Sequence, residues 1–232
     1  MGRDFLLVVG VATVLDHLDG FHFTSADLEY LESLGLFRGD FLKRLEGLRF
    51  TGDVMAMPEG TVAFAGEPIL RVTAPIIEAQ LLESVIMNLV HLQTLIASKA
   101  ARVVLAADGR ALVDFGLRRT HGTESGLFGA RASWIAGFAA TSNVEAGRRF
   151  GIPVTGTMAH SYVQALDDEE AAFRSFTEIY PETVLLVDTY DTIASGVPNA
   201  IKVFEELGGK EDFRQHDAHH RLPTDLDVAQ AR

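Results

Sequence analysis

The residues best suited to chemistry stand where short β-branched runs give way to polar turns. Val154 and Thr155 lead into Gly156-Thr157-Met158-Ala159-His160, which sets Thr157 and His160 at the end of a predicted strand, just ahead of an amphipathic helix. Residues 111–115 end likewise in Gly116-Leu117-Arg118-Arg119, and residues 183–187 end in Asp188-Thr189-Tyr190-Asp191. Strand ends of this kind are where parallel α/β sheets and barrels keep their reacting groups. A neutral imidazole is a competent nucleophile near pH 7. The planar guanidinium of arginine suits a carboxylate or a phosphate. Each residue also has an ordinary structural reading: His160 as a helix cap, Arg118 and Arg119 as ion-pair partners, Asp188 and Asp191 as caps after a strand. Residue types and positions alone leave both readings open, and convergence at three strand ends is the pattern a reacting site would show.

The elements that must position them follow from periodicity. From Arg102 onward the pattern repeats as strand, polar strand end, helix. Helices are predicted over 125–136, 143–150, 167–180 and 198–207. Such alternation implies parallel strands with right-handed crossovers, an α/β architecture that is part of a (β/α) barrel. The preceding chain reads as a helical and small antiparallel β (α+β) region. Residues 5–18 form an apolar stretch expected to be helical. Thr24 with Asp27 signals a helix start, and Gly35 closes that helix. A two-residue period over 51–73, with turns at Pro58-Glu59-Gly60 and Gly66-Glu67-Pro68, predicts a small antiparallel sheet. Pro75 opens a long helix, on which His91 reads as an ordinary surface residue. Three regions are thus expected: 1–105, 106–209, and a tail over 210–232 with few large apolar residues and little order. His216, His219 and His220 in that tail read as a histidine-rich stretch and not as a metal site.

Composition narrows the function classes. The chain of 232 residues carries 20 Lys+Arg against 32 Asp+Glu, a net charge of −12, which argues against a broad nucleic-acid or anionic-membrane surface. An anionic ligand would need a local pocket. No cysteine is present, which removes disulfides, thiolate nucleophiles and Cys-based zinc sites and fits a reducing compartment, with cytoplasm as the expected location. The apolar run from Phe5 to Leu15 is too short to span a bilayer, which takes about 20 residues, and lacks the features of a signal peptide.

In this order the motifs resemble nicotinate phosphoribosyltransferase. The resemblance runs from about Asp4 to about Gly209. It is carried by Gly66-Glu67-Pro68, Asn88 with Gln93-Thr94-Leu95-Ile96-Ala97, Lys99-Ala100-Ala101-Arg102, Asp114-Phe115-Gly116-Leu117-Arg118-Arg119, Thr141-Ser142-Asn143 and Gly156-Thr157-Met158-Ala159-His160-Ser161. It implies a barrel of the type II phosphoribosyltransferase kind. The implied reaction joins nicotinate to phosphoribosyl pyrophosphate, giving nicotinate mononucleotide and pyrophosphate with ATP hydrolysed and magnesium present, a ligase-type step of NAD biosynthesis. His160 matches the histidine that ATP phosphorylates, and the start of a helix offers N–H groups to a phosphate. Thr157 matches a nicotinate-contacting threonine, and Arg118 and Arg119 match arginines that hold a carboxylate or phosphate. Ser142 and Asn143 fall in a substrate-binding motif. Asp188 and Asp191 would orient ribose hydroxyls or magnesium. A homodimer is usual in the full-length family.

The resemblance also sets expectations about what lies outside the chain. Family members normally carry an N-terminal Thr-Asp-Leu-Tyr-type motif, a further aspartate-bearing strand and a glycine-rich phosphate loop. None is recognisable here, so an incomplete gene product prone to self-association is expected. Two other readings stay open: an enzyme acting on nicotinamide, and a non-catalytic fragment that works only through assembly.

Overall fold

The computed structural model describes residues 4–181 and 183–207. The expectations for the tail, including its three histidines, lie outside the described residues. The chain divides into two compact units, Met1–Thr155 and Gly156–Arg232. No division falls near residue 105, because the long helix α4 (Ile76–Ala107) runs through that point and packs on a later helix of the same unit.

In the first unit, the apolar residues expected to form one helix split at Gly10. β1 (Leu6–Leu7) is extended and α1 (Val11–Asp19) follows. Gly10 has φ 106, and a Cβ there would stand 2.8 Å from the Leu89 carbonyl oxygen of α4, so only glycine allows this approach. The extended segment satisfies its backbone by tertiary bonds. Leu7 N–H donates to Ser98 Oγ (2.9 Å) and Val9 N–H to Thr94 Oγ1 (3.2 Å), while that hydroxyl donates to the Val9 carbonyl (2.8 Å). These polar side chains are buried on an otherwise apolar helix because they complete a strand's hydrogen bonding.

α2 (Ser25–Ser33) begins in the expected capping box. Thr24 Oγ1 accepts from Asp27 N–H and Asp27 accepts from Thr24 N–H. It packs on α3 (Gly39–Glu46). The region expected to form one sheet gives pieces of two. β2 (Asp53–Ala56) pairs antiparallel with β4 (Leu70–Thr73), in register Val54↔Val72, whereas β3 (Val62–Ala63) pairs with β1. Val54, Leu70 and Val72 form the inward face of the β2–β4 pair, against Val14, Leu18, Leu82 and Ile86. Strand period is local, but the choice of partner is a tertiary matter.

Pro75 caps α4, its carbonyl accepting from Ala79 N–H (3.0 Å). α4 has the length and composition of a membrane span. Its buried Glu78, Gln93, Thr94 and Ser98 instead mark it as the central helix of this unit. Small residues of α5 (Thr123–Ile135), notably Gly129 and Ala132, are buried and permit close packing on α4.

β5 (Val113–Asp114) and β6 (Ala140–Thr141) flank α5 and pair in parallel, in register Asp114↔Thr141, and Thr141 makes a further parallel bridge to Val154. This is a right-sized βαβ unit followed by α6 (Val144–Phe150). The second unit holds α7 (His160–Gln164), α8 (Glu169–Ile179), a π-helical turn over Thr192–Gly196, and α9 (Val197–Leu207). Its core is Met158, Val163, Ala172, Phe173, Leu185, Ala200 and Val203. The predicted strand over 183–187 carries no ladder, and the predicted strand at 154 contributes one bridge. The observed architecture is therefore mixed α/β with two-stranded sheets, where a more continuous parallel barrel wall was expected. An apolar β-branched run marks an extended buried segment equally well whether or not a partner strand lies beside it.

Candidate active site

The predicted site residues fall into two groups, one in each unit. In the first unit the paired ends of β5 and β6 bring together Asp114, Thr141, Ser142 and Asn143. Asp114 organises them. Its Oδ2 accepts from Thr141 Oγ1 (2.9 Å), its Oδ1 from Gly116 N–H (3.0 Å), and its carbonyl from Ser142 N–H (2.8 Å). Gly116 then turns the chain into a 3-10 turn over Leu117–Arg119, which leaves Arg118 and Arg119 exposed. Among the described residues neither arginine has a carboxylate partner, so the ion-pair reading loses its support. Two adjacent exposed guanidinium groups beside a strand end are planar donors of the kind that suits an anion.

Asn143 has a different position. It is buried, and its Oδ1 accepts from Ala146 N–H (3.1 Å) to cap α6. It thereby fixes the turn that carries the half-buried Ser142.

In the second unit His160 is the first residue of α7 and is exposed. Its Nδ1 lies 3.2 Å from Thr189 Oγ1, and its Nε2 lies 3.8 Å from Asp188 Oδ1. The first distance is a hydrogen bond; the second is long for one and is an electrostatic contact. α7 has only five residues, so the dipole expected to favour a phosphate is that of little more than one turn. Thr157, three residues before His160, donates from Oγ1 to the Val184 carbonyl (2.9 Å), tying its turn to the beginning of the predicted 183–187 run.

Asp191 caps the π-helical turn, its Oδ1 accepting from Ile193 N–H (3.0 Å) and Ala194 N–H (2.7 Å). Its carbonyl accepts from Gly196 N–H five residues on (2.9 Å). A Cβ at Gly196 would come 1.9 Å from the Val187 carbonyl oxygen, so the turn passes directly under the residue that precedes Asp188.

Among the described residues no group of three or more His, Cys, Asp or Glu could hold a metal ion alone. Magnesium carried by phosphates needs only one or two carboxylates. The exposed Asp188 beside His160 fits that smaller requirement.

Sequence reasoning missed two features. Thr189 is an ordinary hydroxyl between the two aspartates, and nothing in its spacing marked it. Arg131 and Glu59 form a two-toothed ion pair (2.6 and 3.1 Å) with side chains only 15% and 17% exposed. Glu59 also accepts from Gly10 N–H (2.6 Å), and Arg131 donates to Gln93 (3.1 Å). Burial alone would raise the Glu59 carboxyl, but Arg131 and the Gly10 and Ala12 amides together hold it below the usual carboxylate range. This network locks β1, α1, α4 and α5, and its members are 72 residues apart, beyond any local signal.

Comparison with known proteins shows the family. A family model described as the nicotinate phosphoribosyltransferase N-terminal domain matches residues 1–91, and one described as the nicotinate phosphoribosyltransferase family matches residues 110–218. The second match reaches past Gly209, where the resemblance was expected to stop. The chain is 54% identical over 213 residues to the nicotinate phosphoribosyltransferase pncB2 of Mycobacterium tuberculosis, covering 92% of this chain and 46% of that protein. It is 47% identical to the nicotinate phosphoribosyltransferase of Bacillus subtilis, covering 90% and 43%. The crystal structure of human nicotinic acid phosphoribosyltransferase superposes with a TM-score of 0.80 at 31% identity, covering 89% of this chain and 52% of that one. The chain thus spans about half the length of the curated relatives it matches. The motifs and both family matches agree: the chain belongs to the nicotinate phosphoribosyltransferase family.

Proposed function

We propose that this chain carries the phosphoryl-accepting part of a nicotinate phosphoribosyltransferase, which joins nicotinate to phosphoribosyl pyrophosphate with ATP hydrolysis in NAD biosynthesis. The observation that carries this reading is His160, exposed at a helix start with one ring nitrogen on a hydroxyl and the other facing a carboxylate. A ring so placed can attack the terminal phosphorus of ATP: a N–P bond forms, the bridging P–O bond breaks and ADP leaves. Asp188 then balances the positive charge of the phosphorylated ring. Magnesium, when bound with the phosphates, would neutralise charge on their oxygens.

Arg118 and Arg119 supply planar donors for the nicotinate carboxylate or a phosphate, and Ser142, at the end of β6, is assigned to the same substrates. Asn143 supports the Ser142 turn through the α6 cap. Thr157 and Asp191 are assigned to nicotinate and to ribose or magnesium, Asp191 through the oxygen it does not spend on capping. The parallel β5–β6 pair with its Val154 bridge supports the finer reading of these strands as part of a type II phosphoribosyltransferase barrel. A cytoplasmic homodimer completes the proposal. The named relatives are nicotinate enzymes, and no comparison favours the amide.

The test is formation of nicotinate mononucleotide from nicotinate, phosphoribosyl pyrophosphate, ATP and magnesium, run in parallel with nicotinamide. Arg118→Ala and Arg119→Ala are expected to raise the KM for the acid or the pyrophosphate by about tenfold or more, the loss of a charged hydrogen bond. Equal turnover of acid and amide, with both variants unaffected, would contradict the assignment.

A further inference from the structure

The geometry points to Thr189 as the positioning residue of His160, and this rests on the reading of His160 as the reacting group. A neutral imidazole has one nitrogen that donates and one that accepts. Asp188 Oδ1 stands 3.8 Å from Nε2, and a carboxylate only accepts, so the ring proton belongs on Nε2. Nδ1 is left with the lone pair, and it lies 3.2 Å from Thr189 Oγ1, a group able to donate. The carboxylate thus selects the tautomer, and the hydroxyl, which can donate or accept, holds the ring orientation that keeps Nε2 toward it. A half-turn of the ring would put Cε1–H in place of Nε2 and Cδ2–H in place of Nδ1, and both contacts would be lost.

Of the two, Thr189 holds the position. The Asp188 side chain is 61% exposed and too distant for a hydrogen bond, so it biases the ring proton by charge without anchoring the ring. Thr189 is half-buried and β-branched, which restricts χ1, and its segment rests against the π-helical turn through the contact that only glycine at 196 permits. The lone pair at Nδ1 is then the basic one. When an electrophile arrives there, the Thr189 hydroxyl is displaced from nitrogen and is free to donate to an oxygen of the arriving group.

The full chain labelled with ¹⁵N-histidine, with His160 assigned by its loss in His160→Gln, tests this by long-range proton–nitrogen spectra of the ring. The native chain and Thr189→Ser are expected to show the Nε2–H tautomer alone. Thr189→Val, of the same shape without the hydroxyl, is expected to show both tautomers. Transfer of the ATP phosphoryl group to His160 should slow about five- to tenfold in Thr189→Val and recover in Thr189→Ser, the scale of one hydrogen bond. Identical ring spectra in Thr189→Val and the native chain would overturn the assignment. A native chain that takes up no phosphoryl group would contradict the phosphohistidine reading, and the ring spectra would still decide the role of Thr189 by the same criterion.

Discussion

At the scale of single residues, ordinary groups acquire distinct duties from their neighbours. Arg118 and Arg119 stay without carboxylate partners among the described residues, while Arg131 is bound to Glu59 and largely buried. The first two are exposed; the third is structural. Arg131→Ala would leave the Glu59 carboxylate partly buried and unpaired, and is expected to lower stability by about 2–3 kcal/mol in chemical denaturation. The pH dependence has a definite sign. The folded-state pKa of Glu59 lies below its ordinary value of 4.5, so its contribution is complete above that value and is lost as pH falls through the lower folded value. Stability of the native chain should therefore fall on acidification below about pH 4.5, and Arg131→Ala should flatten that dependence. An unchanged acid slope in the variant would contradict this account. None of the network was legible in the sequence, because Glu59 and Arg131 appear there as two unrelated charges. The exposed positions of His160, Thr157 and the paired arginines after short apolar runs were legible, because residue type and turn signals are local.

At the scale of elements, local signals fixed element starts, and tertiary contacts decided the rest. Thr24 with Asp27, and Pro75, announce α2 and α4 through bonds within one turn. The apolar run from Phe5 could not reveal β1, because a short apolar stretch has no period that separates strand from helix. Its extended form depends on Ser98 and Thr94, 91 and 85 residues away. The π-helical turn is equally tertiary in origin. Gly196→Ala would force its methyl into the Val187 carbonyl, so either the turn or the Asp188–Thr189 segment must shift. A stability loss of about 1–3 kcal/mol is expected, together with the loss of the single His160 tautomer. A Gly196→Ala chain with native stability and native ring spectra would sink this reading. Phe173 is fully buried at the centre of the second unit. Phe173→Ala should cost about 3–5 kcal/mol in the same measurement, and a loss under about 1 kcal/mol would mean that this core is not cooperatively packed.

At the scale of the whole molecule, charge and exposed apolar surface oppose one another. A net charge of −12 keeps copies apart. Ile76, Leu81, Met87, Val103 and Leu105 are exposed along α4, and Leu36 and Phe37 are exposed between α2 and α3. Added salt screens the repulsion without weakening apolar contact. The apparent mass in light scattering is therefore expected to rise with salt and with protein concentration, and a mass independent of both would contradict this balance. The family assignment was legible because its motifs are short and ordered along the chain, whereas strand partnership, which decides how much parallel wall forms, was not. The most direct measurement on the entire account is exposure of the full chain to ATP labelled at its terminal phosphate, with magnesium. The account predicts one acid-labile, alkali-stable phosphoryl group per chain, absent in His160→Ala and retained in His91→Ala. A label that persists in His160→Ala, or none in a folded native chain, would contradict it.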